Sequence, residues 1–202
     1  MIFSKPNVTG IVLAGGQSRR MGYNKAVAMM HGRSMLLLMI DKLSSITPTI
    51  LVSSGELTYR DIKYRQIPDV YPDCGPLGGI YSVLKASTTS LNLVVACDLP
   101  LVKAQFLAWI IEKAAFNNAL ITVPVNEKGQ PEMLCAVYHK DILPIMEQQI
   151  KLKAFKLKNL IDLVPSATIK ISIDHPLYNE HAFKNVNSPE VLNEARELWK
   201  NP

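Results

Sequence analysis

The feature that most constrains the fold is an apolar strand that runs directly into a pair of glycines. Residues 8–14 read VTGIVLA, and Gly15 and Gly16 follow at once. A short apolar run that ends at glycines is typical of a strand buried on both faces, as in a parallel sheet. Glycines at the end of such a strand allow the backbone to turn its N–H groups towards a ligand. We therefore expect an α/β sheet whose first strand leads into a binding loop.

Short apolar runs and amphipathic stretches alternate along the rest of the chain. Apolar runs predict strands over residues 8–14, 49–53, 91–97, 120–123 and 133–139, and alternating apolar and polar residues predict a weaker strand over 61–67 and an added strand over 168–173. Apolar residues at helical spacing predict helices over residues 34–46, 76–85, 103–115, 141–149 and 188–200. This alternation indicates an α/β fold of three layers, with a mostly parallel sheet and helices on both of its faces. No repeat, low-complexity tract or linker interrupts the 202 residues, so we expect a single domain, residues 1–202.

The composition argues against several other classes of protein. Hydrophobic residues make up 48% of the chain and charged residues 19%, which is typical of globular proteins. No apolar run is longer than six residues, and the first ten residues lack the apolar core of a secretory signal. The cysteines Cys74, Cys97 and Cys135 form no C-x-x-C pair, so neither a zinc knuckle nor a disulfide framework is expected. We therefore expect a cytoplasmic protein.

The loop after the first strand is rich in positive charge. Residues 13–25 read LAGGQSRRMGYNK, with Arg19, Arg20 and Lys25 but no acidic residue. The spacing fits neither a P-loop nor the G-x-G-x-x-G motif. Each contact between one of these cations and a phosphate contributes roughly 1.5–3 kcal/mol. The loop is therefore predicted to bind phosphate groups, and the alternative is a flexible loop whose arginines are solvated.

Four short motifs resemble those of one enzyme family. Residues 13–25 match the pattern L-A-G-G-x-S-x-R-M-G-x-x-K without a break, and residues 69–80 (DVYPDCGPLGGI) resemble a second motif, D-x5-G-P-L-x-G. Residues 97–100 (CDLP) resemble a metal-binding C-D-x-P motif, and residues 183–190 (FKNVNSPE) resemble the ending F-x-N-V-N-T-P-E. In this order, over nearly the whole chain, the motifs resemble nucleotidyltransferases of the type that includes the molybdenum cofactor guanylyltransferases.

The resemblance implies a Rossmann-like nucleotidyltransferase fold and a magnesium-dependent reaction. In that family, GMP is transferred from GTP to the terminal phosphate of molybdenum-bound molybdopterin, and pyrophosphate is released. We expect residues 1–100 to form the nucleotide-binding half and residues 101–202 the acceptor-binding half. Related reactions remain open, with CTP in place of GTP or with a sugar or alditol phosphate as the acceptor. A nucleotide-binding module without catalytic activity is the alternative from another class, although pure binding would not require the carboxylate of Asp98.

The resemblance also implies which residues form the site. The residues expected to bind the nucleotide are Leu13, Ala14, Gly15, Gly16, Gly22, Lys25, Ser53, Asp69, Gly75, Gly79 and Asp98. The residues expected to act in catalysis are Lys25, Arg19 and Asp98, and Asp98 is also the expected ligand of Mg²⁺ or Mn²⁺. The residues expected to bind the acceptor are Lys156, Asn185 and Asn187.

Two of these carboxylates follow predicted strands. Asp98 follows the apolar run 91–97, and ligands of open parallel sheets bind beyond the carboxyl ends of the strands. A carboxylate there, together with phosphate oxygens and water, suits Mg²⁺; the alternative is that Asp98 caps the helix that begins near Lys103. Asp69 follows the run 61–67 and is expected to contact either the N1–H and amino group of guanine or the ribose, the alternative being a turn residue.

The expected acceptor residues lie in the second half of the chain. If residues 185–187 are extended, the amides of Asn185 and Asn187 point to one side of the backbone, unless Asn187 only forms the turn before the last helix. Lys156 belongs to a run with lysines at 151, 153, 156 and 158, which is either a basic contact for the acceptor or a solvated face. The sequence departs from the family around Lys156 and again at residues 130–132 (QPE), where His-Pro is expected.

The expected partners follow from the same resemblance. They are GTP, the molybdopterin cofactor, proteins of cofactor synthesis, and apo-molybdoenzymes or their chaperones. Neither nucleic acid nor a membrane is expected as a partner, and we expect a monomer. The four histidines are scattered along the chain and form no pattern typical of metal binding or of a catalytic triad.

Overall fold

The architecture is a seven-stranded sheet between two layers of helices. A computed structural model describes residues 7–16 and 21–200. Within that part of the chain the strands are β1 (Val8–Leu13), β2 (Met29–Met30), β3 (Arg33–Ser34), β4 (Thr49–Gly55), β5 (Arg65–Pro68), β6 (Leu91–Ala96), β7 (Ile121–Pro124), β8 (Cys135–His139) and β9 (Ser166–Ile169). The helices longer than one turn there are α1 (Met35–Ser44), α2 (Gly75–Ala86), α3 (Ala104–Ala115), α4 (Leu143–Lys151), α5 (Leu160–Leu163) and α6 (Pro189–Lys200).

The strand order of the large sheet is β5-β4-β1-β6-β8-β7-β9. Strand β1 lies near the middle and pairs in parallel with β4 and with β6. Strand β8 runs antiparallel to both of its neighbours, β6 and β7, and β9 pairs in parallel with β7. The prediction of a mostly parallel sheet is therefore confirmed. Six strands run in the same direction and end at one edge of the sheet: β1, β4, β5, β6, β7 and β9. Strand β8 runs the other way and begins at that edge.

The two faces of the sheet are covered by different helices. On one face, Val12 of β1 packs with Leu36 of α1 and Phe106 of α3 in one buried cluster. On the other face, Ile11 of β1 packs with residues of α2 and α4, among them Leu77. Burial of each such side chain contributes about 1.5–3 kcal/mol relative to exposure. Successive residues of β1 thus face opposite layers, which explains why the strand is apolar throughout and confirms the predicted three-layer arrangement.

Some predicted elements have different limits in the structure. The strand predicted over 61–67 is the shorter β5, which begins only at Arg65. The strand predicted over 168–173 is β9, which ends at Ile169 because its partner β7 ends at Pro124, the residue that pairs with Ile169. Strands β2 and β3 form a small hairpin that was not predicted, since two-residue strands are too short to show a period of two.

Helix α6 closes the chain against the rest of the molecule. Its first turn follows Ser188, whose hydroxyl accepts a hydrogen bond from Val191 N at 3.4 Å, as the Ser-Pro-Glu sequence predicts. Leu192 and Ala195 of α6 are buried in a third cluster with Met30 of β2 and Val186. No helix in the described ranges is both long and apolar enough to cross a membrane.

Candidate functional site

The candidate site lies where the neighbouring strands β1 and β6 end. Their last paired residues are Leu13 and Ala96, so residues 14–16 and 97–98 leave the sheet side by side. Cys97 N donates a hydrogen bond to Leu13 O at 3.0 Å and fixes this arrangement. The carboxyl edge of a parallel sheet is the usual place for a ligand, and the predicted phosphate loop and the predicted metal carboxylate meet here.

The backbone of Ala14 and Gly15 is held against β4. Both N–H groups donate to the carbonyl of Ser53, at 2.8 and 2.9 Å. A side chain at Gly15 would place its Cβ atom 2.8 Å from Gly55 N, closer than such contacts normally come. Only glycine therefore allows this close approach of two backbone segments. Gly22 has a left-handed φ of 70° that also favours glycine.

Lys25 and Asp98 form an ion pair at this edge of the sheet. The Lys25 ammonium donates to Asp98 Oδ2, and Asp98 is 5% exposed. The second oxygen, Asp98 Oδ1, is buried and has no hydrogen-bond partner among the described residues. The alternative role of Asp98 as a helix cap is not observed, because Lys103 precedes α3 and that helix end has no side-chain cap. Asp98 thus retains an oxygen that a ligand can use.

A buried tyrosine, not anticipated from the sequence, connects the loop to the strand ends. Tyr59 donates its hydroxyl proton to Ala14 O at 2.8 Å and accepts a hydrogen bond from Asn24 Nδ2 at 3.1 Å. Asn24 in turn accepts from Ala26 N at 2.9 Å, which fixes the turn that contains Lys25. Burial raises the pKa of the Tyr59 hydroxyl, so it remains a donor at neutral pH. Tyr59 lies in a segment without regular secondary structure, where no sequence pattern indicates its role.

A second carboxylate lies beside β4 and the start of α2. Asp69 follows β5, and its Oδ1 atom is buried without a partner in the described part of the chain. Burial raises the pKa of the Asp69 carboxyl, and the negative charge of Glu56 raises it further. A Cβ atom at Gly79 would lie 2.8 Å from Ser53 Oγ and 3.6 Å from Asp69 Oδ1. The absence of a side chain at Gly79 therefore keeps open the space in front of Ser53 and Asp69.

The start of α2 contributes a glycine of special conformation. Gly75, the first residue of this helix, has a φ of 58°, and Cys74 before it offers no side-chain cap. A Cβ atom at Gly75 would meet nothing within 4 Å. Gly75 is thus required by the backbone conformation rather than by space, and the first N–H groups of α2 receive no side-chain cap from Cys74.

Two of the predicted acceptor residues adjoin Asp98. Val186 N donates to the carbonyl of Asp98 at 2.8 Å, which places residues 185–187 directly beside the metal carboxylate expected from the sequence. Val186 is fully buried, whereas Asn185 and Asn187 are exposed. The burial pattern agrees with the expected alternation, in which the valine faces inward and both amides face outward.

One other predicted acceptor residue is not joined to this cluster by a described contact. Lys156 is exposed and precedes a short 3-10 turn, and no hydrogen bond or ion pair within the described ranges joins it to Asp98 or Asn187. Its role as an acceptor contact stays a prediction. Arg19 lies outside the described residues.

The site offers a metal a single carboxylate rather than a cage of ligands. Among the residues with described coordinates, no group of three or more His, Cys, Asp or Glu side chains could hold a metal ion. Mg²⁺ is commonly bound by one or two carboxylates together with phosphates and water. The buried, unpartnered Oδ1 of Asp98 suits that kind of binding, since a cation would satisfy it.

Comparisons with known proteins agree with this geometry. Residues 10–167 match the family model described as the MobA-like NTP transferase domain. The probable molybdenum cofactor guanylyltransferase of Flavobacterium johnsoniae is 32% identical over 187 residues, which are 93% of this chain and 95% of that protein. The protein of the same description from Pelotomaculum thermopropionicum is 32% identical over 199 residues, 96% of this chain and 94% of that protein. The crystal structure of molybdopterin-guanine dinucleotide biosynthesis protein A from Archaeoglobus fulgidus superposes with a TM-score of 0.76 at 23% identity and covers 96% of this chain and 100% of that one.

Proposed function

Because the chain belongs to the family of the MobA-like NTP transferase domain, we propose that it transfers GMP from GTP to molybdenum-bound molybdopterin and releases pyrophosphate. The main support is the meeting of three features at the ends of β1 and β6. These are the glycine turn at Gly15, the Lys25–Asp98 ion pair, and the Asn185–Asn187 segment that is hydrogen-bonded to Asp98. The first two suit a triphosphate and the third suits a second substrate next to it.

The proposed reaction is a single displacement at phosphorus. An oxygen of the acceptor's terminal phosphate attacks the α-phosphorus of GTP, and the bond between that phosphorus and the oxygen bridging to the β-phosphate breaks. The electron pair of that bond leaves with pyrophosphate. The acceptor phosphate is already an anion at neutral pH, because its second pKa is about 6, so no general base is required. The protein needs only to position the two substrates and to neutralise charge.

The phosphates would bind to the glycine turn and to Lys25. Gly15 and Gly16 offer exposed backbone without side chains at the end of β1. The Lys25 ammonium, half-buried beside Asp98, would stabilise negative charge on the triphosphate and on the departing pyrophosphate. Arg19 is assigned the same role by its place in the motif. Charge-assisted contacts of this kind are about twice as strong as neutral hydrogen bonds.

Asp98 would hold the magnesium ion. The bound cation would supply further neutralisation of the triphosphate charge. Asp98 contributes a carboxylate that is fixed by burial and by its ion pair with Lys25. Both the glycine turn and the Asn185–Asn187 segment adjoin Asp98, so the residue that would hold the metal lies next to both proposed substrate sites.

Asp69 would recognise the guanine base. Guanine presents two adjacent donors, its N1–H and its amino group, whereas the corresponding edges of adenine and cytosine present one donor beside an acceptor. A buried carboxylate oxygen without a partner can accept the guanine donors but would face the lone pair of the other bases. This arrangement favours GTP over ATP and CTP. The alternative is that Asp69 binds the ribose, and the site would then bind GTP, ATP and CTP with equal affinity.

The proposal is tested by pyrophosphate release from GTP, CTP and ATP, each with Mg²⁺ and molybdenum-bound molybdopterin. We expect release with GTP that depends on the acceptor and that falls at least about a hundredfold in Asp98→Asn. Circular dichroism would show that this variant is folded. Release with CTP alone would replace the proposed function by cytidylyl transfer, and nucleotide binding without any release would indicate a non-catalytic module.

A further inference from the structure

A cavity at the same edge of the sheet is not used by the proposed nucleotide site. It has a volume of about 560 Å³ and lies beyond the ends of β7 and β9. Its walls come from residues 125–132, which follow β7, and from residues 170–184, which follow β9. In the sheet order β6-β8-β7, the end of β7 is two strands from the end of β6. At a spacing of about 4.8 Å per strand, the cavity begins roughly 10 Å from the strand that leads to Asp98.

A backbone hydrogen bond joins the wall of this cavity to β6, the strand that leads to Asp98. Leu134 O accepts a hydrogen bond from Ala96 N at 2.8 Å, and Ala96 lies two residues before Asp98. Glu132, which lines the cavity, lies two residues before Leu134. The two carboxylates of Glu132 and Asp98 therefore lie on adjoining segments, one at the cavity and one at the reacting centre.

Glu132 is held rigidly in the wall. Its N–H donates to Pro124 O at 2.9 Å, and its carbonyl accepts from Cys135 N at 2.9 Å. Its Oε1 atom accepts from Asn126 Nδ2 at 2.8 Å, and the Asn126 carbonyl oxygen is fixed by two backbone N–H groups of the same loop. The other carboxylate oxygen, Oε2, accepts no hydrogen bond from any residue that the structure describes. Burial raises the pKa of the Glu132 carboxyl, since water solvates it only in part.

Another part of the cavity wall adds an aromatic surface. Phe183 lines the cavity and is itself fixed edge-on against Phe106 of α3, with 5.7 Å between the ring centroids. A planar ring system that enters this cavity would thus meet an apolar surface on one side and a fixed carboxylate on another. Such a combination suits a flat heterocycle with adjacent N–H donors on its edge.

We propose that this cavity binds the pterin of the acceptor and that Glu132 recognises its 2-amino-4-oxo-pyrimidine edge. The inference rests on the proposed function. The pterin edge presents an N3–H donor next to the 2-amino group, which is the same pair of donors that guanine presents to a carboxylate. A carboxylate has about four lone-pair positions, so Glu132 can accept both hydrogen bonds while it keeps the one from Asn126. The acceptor carries its phosphate at the end remote from this edge, and the cavity lies two strands away from the strand that leads to Asp98.

A sugar or alditol phosphate would not use this wall in the same way. Its hydroxyl groups are not coplanar and present no fixed pair of donors. Glu132 therefore acts as a specificity residue that separates a pterin acceptor from other phosphate esters. Its position falls in the QPE sequence of residues 130–132, where this chain departs from the pattern of the family it resembles.

The test compares two small fluorescent ligands on the full chain at pH 7. Pterin has the 2-amino group, and lumazine has an oxo group in its place. We expect the wild-type protein to bind pterin at least about tenfold more tightly than lumazine, and we expect Glu132→Gln to remove this preference. Glu132→Asp, which keeps the charge but withdraws it by one methylene group, should weaken pterin binding and keep the preference. Equal binding of the two ligands by the wild-type protein, or an unchanged preference in a folded Glu132→Gln variant, would overturn the proposal.

A matched control comes from the same loop. Glu127 is exposed and accepts a hydrogen bond from Tyr178, an interaction that a glutamine side chain would retain. Glu127→Gln removes the same charge from the cavity region and should leave the preference for pterin intact. If Glu127→Gln also abolishes the preference, the preference depends on the total negative charge of the cavity region, and Glu132 has no specific role.

Catalytic measurements separate this inference from the proposed function. In Glu132→Gln, the KM for the acceptor should rise about tenfold while the Kd of GTP stays unchanged. Guanylyl transfer by a wild-type protein that does not distinguish pterin from lumazine would overturn only the role of Glu132. A preference for pterin that depends on Glu132, without any release of pyrophosphate from GTP, would overturn the proposed function and leave the pterin site in place.

Discussion

At the scale of single residues, two buried carboxylate oxygens indicate where ligands act. Asp69 Oδ1 and Asp98 Oδ1 are buried and lack partners among the described residues. Leaving such a group unsatisfied costs about 1–3 kcal/mol, so their presence calls for an explanation outside the folding of the chain. A cation at Asp98 and base donors at Asp69 would each supply the missing contact. In the proposed function, Asp98 would therefore lie at the phosphate end of the nucleotide and Asp69 at its base end.

Replacement of Lys25 tests the phosphate end. Lys25→Ala should weaken the binding of GTP at least about tenfold, about 1.4 kcal/mol, and leave guanosine binding nearly unchanged, because guanosine lacks the phosphate charges that the ammonium would contact in GTP. Calorimetric titration with both ligands measures the two affinities. Lys103→Ala, an exposed lysine before α3, serves as the control and should change neither. An equal loss for GTP and guanosine would mean that Lys25 acts structurally through Asp98.

Replacement of Gly79 tests the base end and should show the opposite pattern. In Gly79→Ala the new methyl group would lie 2.8 Å from Ser53 Oγ and 3.6 Å from Asp69 Oδ1, and would therefore occupy space in front of both. We expect guanosine and GTP to lose affinity by the same factor, about tenfold or more. Alanine favours a helix over glycine by up to about 1 kcal/mol, so α2 itself should not unfold. If guanosine binds as well as before in the same titration, the base does not lie against Gly79.

At the scale of elements, Lys42 joins three segments around the site. It projects from α1, and its ammonium donates to Val102 O at 2.8 Å and to Pro100 O, in the loop that follows Asp98. The same ammonium lies 4.6 Å from the centre of the Trp199 ring in α6. Burial lowers the pKa of Lys42 to about 8, whereas the two carbonyls and the ring favour the charged form. Lys42 therefore fixes the position of α6 relative to the Asp98 loop, at the cost of desolvating its charge.

The lowered pKa predicts a specific dependence of stability on pH. Between about pH 8 and pH 10.5 the unfolded chain holds the Lys42 proton more strongly than the folded protein does. The free energy of unfolding of the wild-type protein should therefore rise with pH across this window relative to Lys42→Met, by at most about 3 kcal/mol. Below pH 8 both states carry the proton, and the difference between the two proteins should be constant.

Urea unfolding at pH 7, 8, 9 and 10 measures this difference. Lys85→Met is the control, because Lys85 is exposed on α2 and lies 5.6 Å from the Tyr81 ring, so it has a similar aromatic contact without the burial. The control should show no change relative to the wild-type protein in this window. If the difference in the free energy of unfolding between the wild-type protein and Lys42→Met also stays constant from pH 7 to 10, the ammonium is well solvated in the folded state.

At the scale of the whole molecule, local patterns explain the fold better than they explain the site. The apolar run of β1 and the helical spacing of α1 predict their elements because both are buried against neighbouring layers along their whole length. The contacts of Tyr59 with Ala14 and of Val186 with Asp98 join residues that are distant in the sequence, and no local period reports them. The cavity at Glu132 likewise requires two segments to meet, and each alone has the composition of an ordinary loop.

The order of the motifs predicts that each variant impairs the binding or transfer of only one of the two substrates. Asn187 lies in the second half of the chain and next to Asp98 only through the backbone contact of Val186. Asn187→Ala should leave the affinity for GTP nearly intact and depress guanylyl transfer, and Lys156→Ala should do the same if that lysine contacts the acceptor. Gly15→Leu should weaken GTP binding itself, because its Cβ atom would lie 2.8 Å from Gly55 N at the end of β4 and would force the phosphate loop away from that strand.

Measuring the affinity of each variant for GTP and for molybdopterin distinguishes two arrangements. In one, the two substrates bind to separate halves of the chain; in the other, both halves contact GTP. Asn118→Ala, an exposed asparagine beyond α3, is the matched control and should change neither substrate. Suppose that Asn187→Ala weakens GTP about tenfold or more, about 1.4 kcal/mol, while molybdopterin binding is unchanged. Asn187 would then belong to the nucleotide or metal site, and the Asp98 edge would bind GTP from both sides. The acceptor would have to reach the α-phosphorus from the direction of the Glu132 cavity alone.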